Sequence, residues 1–456
     1  MPPLISVEEL QSSRGAQSTI EFTAARELRL SRLLIAYIAT GLFFMLLPGT
    51  FLGVWNLIAI SSHRSVETVS PAWIQAHGHA QVFGWIGSFI LGIGYYSIPK
   101  LRRMKAFALW APWTSLVMWS SGVTMRWAAG VYEWHWRALL PISAVLEIGA
   151  FLIFLPIVSS HRLATETVGN NPPKGSPAKL DQWILIVITG CIGWLAALVI
   201  NLLSAVFLAW RGSSPVLPHG FDQRLLVLET WGFLVPFIWG FSTKWLAVFL
   251  GLRALHARPL LWAVALNSTG VIVALFGLPL MSSILLLVGL AFAVYALRLF
   301  APSERPAKVK GVHTSFPAFV QLAYVWAFVS SVLAIWASVT VNSAGIWGAS
   351  RHALTVGFVA MMVFCIGQRV LPAFSGMRLL FSTKLMFMAL LLLSIGCFTR
   401  VGSEVLAYQG FARAAWGWLP VSAIIEMTAV TIFAVNLGFT FAKKKNGAES
   451  QYRDAA

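Results

Sequence analysis

Twelve runs of predominantly apolar residues, each about 20 residues long and separated by short polar connections, restrict this chain to very few folds. They lie near 33–58, 78–99, 106–125, 137–158, 182–208, 225–250, 259–279, 281–300, 317–341, 350–371, 379–399 and 415–441. A segment crossing a hydrocarbon core of about 30 Å must satisfy its own backbone N–H and C=O groups, which at this length requires a helix. With 58% hydrophobic and 11% charged residues, the chain cannot cover so much apolar surface with a polar shell. The predicted class is therefore an all-α polytopic membrane protein with 12 transmembrane helices.

Charge sets the expected orientation. The balance of +17 does not point to nucleic acid, because the basic residues sit in the short connections rather than in one aromatic-interleaved patch. Arg14, Arg26, Arg29 and Arg32 precede the first run, and Lys100, Arg102, Arg103 and Lys105 follow the second. Arg298, Arg305, Lys308 and Lys310 follow the eighth, and Lys443, Lys444 and Lys445 follow the last. By the positive-inside rule both termini are expected in the cytoplasm. The polar first 31 residues are not expected to be a cleaved signal peptide. Cys191, Cys365 and Cys397 lie within spans, with no pattern for a disulfide framework, a zinc ribbon or covalent c-type haem.

The chain also repeats itself. Setting His79 on His352 aligns Ala80 with Ala353, Gly84 with Gly357, Ile93 with Ile366, Gly94 with Gly367 and Pro99 with Pro372, without a gap. Ser120, Gly122 and Arg126 at the end of the third run match Ser394, Gly396 and Arg400 at the end of the eleventh. Leu140, Pro141, Ser143, Ala144 and Glu147 in the fourth match Leu419, Pro420, Ser422, Ala423 and Glu426 in the twelfth. A fainter copy between them keeps Gly232 and Gly240 but has Val227 in place of His79 and a leucine in place of Glu147. Self-similarity of this kind is an architectural signal. It predicts three arcs of four helices: 31–158, a degenerate second arc at 182–300, and 315–441. A polar linker (159–181) and a basic loop (301–314) join them, and polar tails (1–30 and 442–456), expected to be poorly ordered, flank them.

The copied polar residues are the candidate site. His79 and His352, at matching depth on the outer side and in the first turn or so of their helices, are the expected ligands of a metal or macrocycle held between the second and tenth helices. Gly84 and Gly357 are expected to clear space for a flat ligand below them. Arg126 and Arg400 are placed to bind its carboxylates. His77 points to nearly the opposite side of its helix from His79, so it is assigned to a second metal or to the outer loops, with His135 and His219 as candidates to join it. Glu147 and Glu426 lie about ten residues into their spans, where a carboxylate costs roughly 2.5 to 3.5 kcal/mol unless protonated, paired or on a proton or metal path. Glu229 and Lys244 have no copies and rank lower.

Three four-helix arcs with histidines on the second and tenth helices resemble subunit I of the haem-copper oxidases, in which those two helices hold the low-spin haem. That family's copper ligands come from the sixth and seventh helices, but residues 225–279 contain only His256. An oxygen- or nitric-oxide-reducing binuclear centre is therefore not expected. A closer likeness is carried by His77-Gly-His79 followed by Phe83-Gly84, and by the run Arg351-His-Ala-Leu-Thr-Val-Gly357. These are similar to the two motifs of the NnrS family, membrane proteins that carry haem and copper and are linked to nitric-oxide response in denitrifying bacteria. The resemblance implies a non-covalent, b-type haem with copper as a further metal, a location in the bacterial inner membrane, and a redox partner or nitric oxide in addition to the lipid bilayer. It leaves open whether the protein is an enzyme. The alternatives are a proton- or cation-coupled transporter using Glu147 and Glu426, or a cofactor-free accessory subunit of a respiratory complex.

Overall fold

The computed structural model describes residues 7–102, 104, 106–159, 181–341, 343–376 and 379–443, with side chains from residue 25 onward. The central part of the 159–181 linker, His161, the tail beyond Lys443, Arg103 and Lys105 fall outside the described residues, as does the Arg14 side chain. Every regular element described is helical.

The first arc contains α1 (Ala25–His63), α2 (Pro71–Leu101), α3 (Trp110–Val131) and α4 (Trp136–Ser159). The second contains α5 (Gln182–Arg211), α6 (His219–Leu250), α7 (Ala257–Leu275) and α8 (Pro279–Leu297). The third contains α9 (Phe316–Val339), α10 (Ala344–Phe374), α11 (Thr383–Tyr408) and α12 (Ala415–Ala442). Eleven of these are long and apolar enough to cross a membrane. The remaining helix, α3, has 22 residues but is diluted by Trp, Ser and Thr. The helix leading into α1 is already wound at Val7, where a polar tail was expected.

Consecutive helices pack on one another, and α12 packs back onto α1, so the bundle closes. The second helix of each arc lies inside. Of the most apolar stretch of each of the eleven spanning helices, 83% is buried in α2, 67% in α10 and 61% in α6, whereas none of the other eight exceeds 50%. Those are the helices on which the repeat places His79, His352 and Val227.

The repeat is written in the backbone as well as the sequence. Each inner helix opens with nine α-helical residues and then widens into a π-helical stretch: Ala80–Gly87, Leu228–Leu234 and Ala353–Ala360. The residue just before the widening is His79, Val227 or His352. A π turn shifts the following residues around the helix axis and is common at functional sites. The inner helices start several residues earlier than their apolar runs suggest, because the residues ahead of those runs include the polar Gln75, His219 and Asp222 and, in α10, Gly345 and Gly348. His79 and His352 therefore sit more than two turns inside their helices rather than in the first turn.

The paired motifs on the third and fourth helices of an arc mark a close crossing. A Cβ at Gly122 would lie 2.8 Å from Glu147 Cγ and 2.9 Å from the Ser143 carbonyl oxygen. In the third arc the corresponding distances from Gly396 are 2.6 Å to Glu426 Cγ and 3.3 Å to the Ser422 oxygen. In the middle arc Gly270 meets Leu286 at 3.0 Å. Glycine is thus needed where the fourth helix brings a long side chain against the third, and only the outer two arcs make that side chain acidic.

Candidate functional site

Two polar clusters are built around the inner helices α2, α6 and α10. In the first, His79 Nε2 and Glu147 Oε1 are 2.9 Å apart, with both residues almost fully buried. The imidazole stacks on Phe83, with centroids 4.6 Å apart and planes 18° from parallel. Facing them from the second arc is Glu229, on the π stretch of α6, whose Oε1 accepts from Asn201 Nδ2 on α5 at 3.4 Å. Arg126 and Glu147 act electrostatically on Glu229, as does Asp222 from the first turn of α6.

The second cluster lies between the third and first arcs. His352 donates from Nδ1 to the Gly348 carbonyl at 3.0 Å, and its Nδ1 is 3.5 Å from Glu404 Oε2. Arg400, on the next helix, approaches the same Glu404 oxygen at 3.4 Å. Arg400 is 5% exposed, yet its Nε and Nη1 have no hydrogen-bond partner. Glu426 Oε1 is buried and unpartnered nearby, within the field of Arg400 and Glu404. The groups acting on His352 are Arg400, His77 and Arg351, whereas those acting on His79 are Glu147 and Arg126.

His77 belongs with the second cluster. Its Nδ1 donates to the Gly49 carbonyl at 2.8 Å, and its ring occupies the space left by Gly53, where a Cβ would lie 2.7 Å from Cε1. A carbonyl can only accept, so in both His77 and His352 the proton is on Nδ1 and Nε2 carries the lone pair. Among the described residues neither Nε2 makes a hydrogen bond.

The other expected residues are placed as follows. His135 is exposed in the α3–α4 connection, in the left-handed backbone region and beside Trp134. His219 is exposed and paired with Gln223, and neither is brought to His77. Arg126 is half-buried and acts on the first cluster, so the two copied arginines do not share a site. Gly84 and Gly357 were expected to clear room for a flat ligand, and in the structure aromatic side chains lie against both. A Cβ at Gly84 would meet Phe44 at 2.8 Å, and one at Gly357 would meet Trp326 at 2.5 Å. Lys244 is exposed, its Nζ 5.6 Å from the Trp183 ring centroid. Sequence reasoning missed Glu404, which has no copy because its counterpart in α3 is Gly130. The signal available was its spacing of four from Arg400, which puts both on one face of α11.

The arrangement is that of a haem-copper oxidase fold. A haem-copper terminal oxidase dimer solved by cryo-EM contains a chain similar to this one with a TM-score of 0.63 and 12% identity, covering 92% of this chain and 85% of that one. At that identity the likeness establishes the fold of the membrane bundle. No protein-family profile matches the sequence, and comparison with curated proteins gives no match either. Among the described residues no three His, Cys, Asp or Glu side chains group closely enough to hold a metal ion.

Proposed function

We propose that the protein is an integral membrane haem protein in which His77 and His352 would hold the haem iron, and that it serves membrane redox chemistry or nitric-oxide response in the manner of the NnrS family. The observation that carries this reading is the shared state of the two imidazoles. Each donates Nδ1–H to a backbone carbonyl and keeps Nε2 unengaged, the arrangement that orients a metal-ligating histidine and raises its basicity. His77 also lies within the field of His352, while the Nε2 of His79 is taken up by Glu147.

The surrounding residues fit a carboxylated macrocycle. Arg400 is a buried guanidinium with two nitrogens lacking acceptors, which a propionate-type carboxylate would satisfy by charge-assisted hydrogen bonds. Arg351, beside Glu404 and Arg400, adds positive charge at the same level. When bound, a haem held by two histidines supplies one-electron transfer. The role of the chain is to hold imidazole orientation through Gly49 and Gly348 and to balance carboxylate charge through Arg400. Copper enters this reading only through the family resemblance.

The test is a reduced-minus-oxidised spectrum of the purified protein, with iron and copper quantified on the same sample. Low-spin haem bands are expected in the wild type and lost in His77→Ala and His352→Ala, but kept in His79→Ala. A colourless, iron-free preparation from haem-replete cells would overturn the reading. Bands that survive His77→Ala and vanish in His79→Ala would return ligation to the copied pair, His79 and His352.

A further inference from the structure

His77 is seated on a distortion of α1 that the other arcs lack. Residues Met45–Phe51 of α1 are wound as a π-helix, whereas the first helices of the second and third arcs, α5 and α9, are α-helical from end to end. Pro48 lies inside that stretch. It has no N–H to donate and crowds the carbonyl four residues back, which opens the turn and leaves backbone oxygens for side chains to meet. Pro48 O accepts from Trp127 Nε1 of α3 at 3.2 Å, Met45 O from Thr50 Oγ1 at 2.7 Å, and Gly49 O from His77 Nδ1 at 2.8 Å.

Two glycines let α2 reach that turn. Gly53 gives way to the His77 ring, and a Cβ at Gly49 would lie 2.5 Å from Gln81 Nε2. Gln81 follows His77 by four residues, so the two share a face of α2. Gln81 Nε2 donates to Thr50 Oγ1 at 3.1 Å, and that hydroxyl donates onward to Met45 O. The peptide plane that carries Gly49 O ends at the Thr50 nitrogen, and such planes are rigid. Trp127 fixes the preceding plane through Pro48 O, and Thr50 with Gln81 fixes the following one, so Gly49, a residue otherwise free to rotate, is held from both sides. In the third arc Ser350 and Leu354 stand in the places of His77 and Gln81, and Ser350 donates to Ser330 O on the unwidened α9 at 2.9 Å. The amide and the widened turn accompany the imidazole.

We propose that Gln81 and Thr50 are positioning residues for His77: by fixing the Gly49 carbonyl on His77 Nδ1–H they raise the basicity of Nε2 and lower the reduction potential of the haem iron that it would hold. The inference rests on the ligation proposed above. A hydrogen bond donated by Nδ1–H moves electron density toward Nε2. A more basic imidazole favours ferric over ferrous iron, because the higher charge gains more from the added density. Mutating the hydrogen-bond partner of a ligating imidazole changes metal affinity by about 10- to 100-fold. At the lower end, and felt by the ferric state, that is a tenfold change in preference, about 59 mV for one electron.

The experiment is a spectroelectrochemical redox titration of the full-length protein in detergent, with haem content measured on each sample. Gln81→Leu, which installs the third arc's residue, and Thr50→Val should keep the low-spin bands and raise the midpoint potential by about 59 mV, a tenfold loss of ferric preference. Thr50→Ser, which keeps the hydroxyl, should stay at the wild-type potential. Ser115→Ala removes a buried bond to the Ala150 carbonyl elsewhere in the first arc, and it should lower the unfolding temperature without moving the potential, which separates tuning from general loosening. If Gln81→Leu does not fold, the Thr50 pair decides, and haem lost from Thr50→Val but kept in Thr50→Ser supports the same role. Potentials at or below the wild-type value in Thr50→Val, with full haem content, would overturn the inference and leave His77 ligation standing. A colourless wild type, or wild-type bands in His77→Ala, would overturn the ligation and the inference with it.

Discussion

The pair His79–Glu147 can be dissected with a replacement that the protein already contains. In the middle arc the corresponding residues are Val227 and Leu286, and Leu286 fits against Gly270 as Glu147 fits against Gly122. Glu147→Leu alone keeps that packing but strands a buried imidazole, at a cost of about 1 to 3 kcal/mol. His79→Val alone leaves a carboxyl deep in the membrane without its 2.9 Å partner, which costs roughly 2.5 to 3.5 kcal/mol. The double variant His79→Val/Glu147→Leu recreates the middle arc's solution and loses chiefly the ring stacked on Phe83, so about 1.5 kcal/mol is expected. The cycle should therefore show a coupling of at least about 2 kcal/mol in the direction of rescue. Equilibrium unfolding in mixed detergent micelles, checked for two-state behaviour, provides the measurement. A double variant as damaged as the sum of the two singles would refute the argument that each residue is tolerated because of the other.

Arg400→Leu removes the guanidinium with two unpartnered buried nitrogens, and it should lower haem content and the reduction potential of whatever haem remains, read by pyridine haemochrome assay and redox titration. Gly193→Ala should cost about 3 kcal/mol or more and abolish monodisperse protein on gel filtration, because its Cβ would fall on the Gly232 backbone, which cannot move aside as a side chain can. Gly438→Ala, with open space around it, should elute normally. Pro420 leaves the Trp416 carbonyl without a helical donor, and Ser61 Oγ on α1 supplies one at 2.6 Å. Ser61→Ala should cost about 1 kcal/mol in a denaturant titration, and markedly less in a Pro420→Ala background, where the helix reclaims that carbonyl.

Much of this protein is legible without its structure. Apolar runs long enough to cross a bilayer have only one backbone solution, so the all-helical bundle and the positions of its helices follow from hydropathy. The internal copies of His79, Gly122 and Glu147 announced which helices are equivalent, and the structure adds the shared π-helical widening after each inner position. What lies against Gly84 and Gly357 was not legible in the sequence. A missing side chain in sequence does not say what fills its space, and here Phe44 and Trp326 fill it from α1 and α9.

The sequence by itself determined that His79 and His352 are equivalent and that His77 and His79 must point in different directions, because neighbours two apart on a helix differ by about 200°. It could not say what waits on either side. That was decided by tertiary packing, which sets Gly49 of α1 against His77, Glu147 of α4 against His79, and Gly348 and Glu404 around His352. The nitrogen left free to meet a ligand depends on the hydrogen bond the other nitrogen makes. In these histidines the bonding partner lies on another helix or one turn back along the histidine's own helix, and hydropathy and internal symmetry carry no record of it.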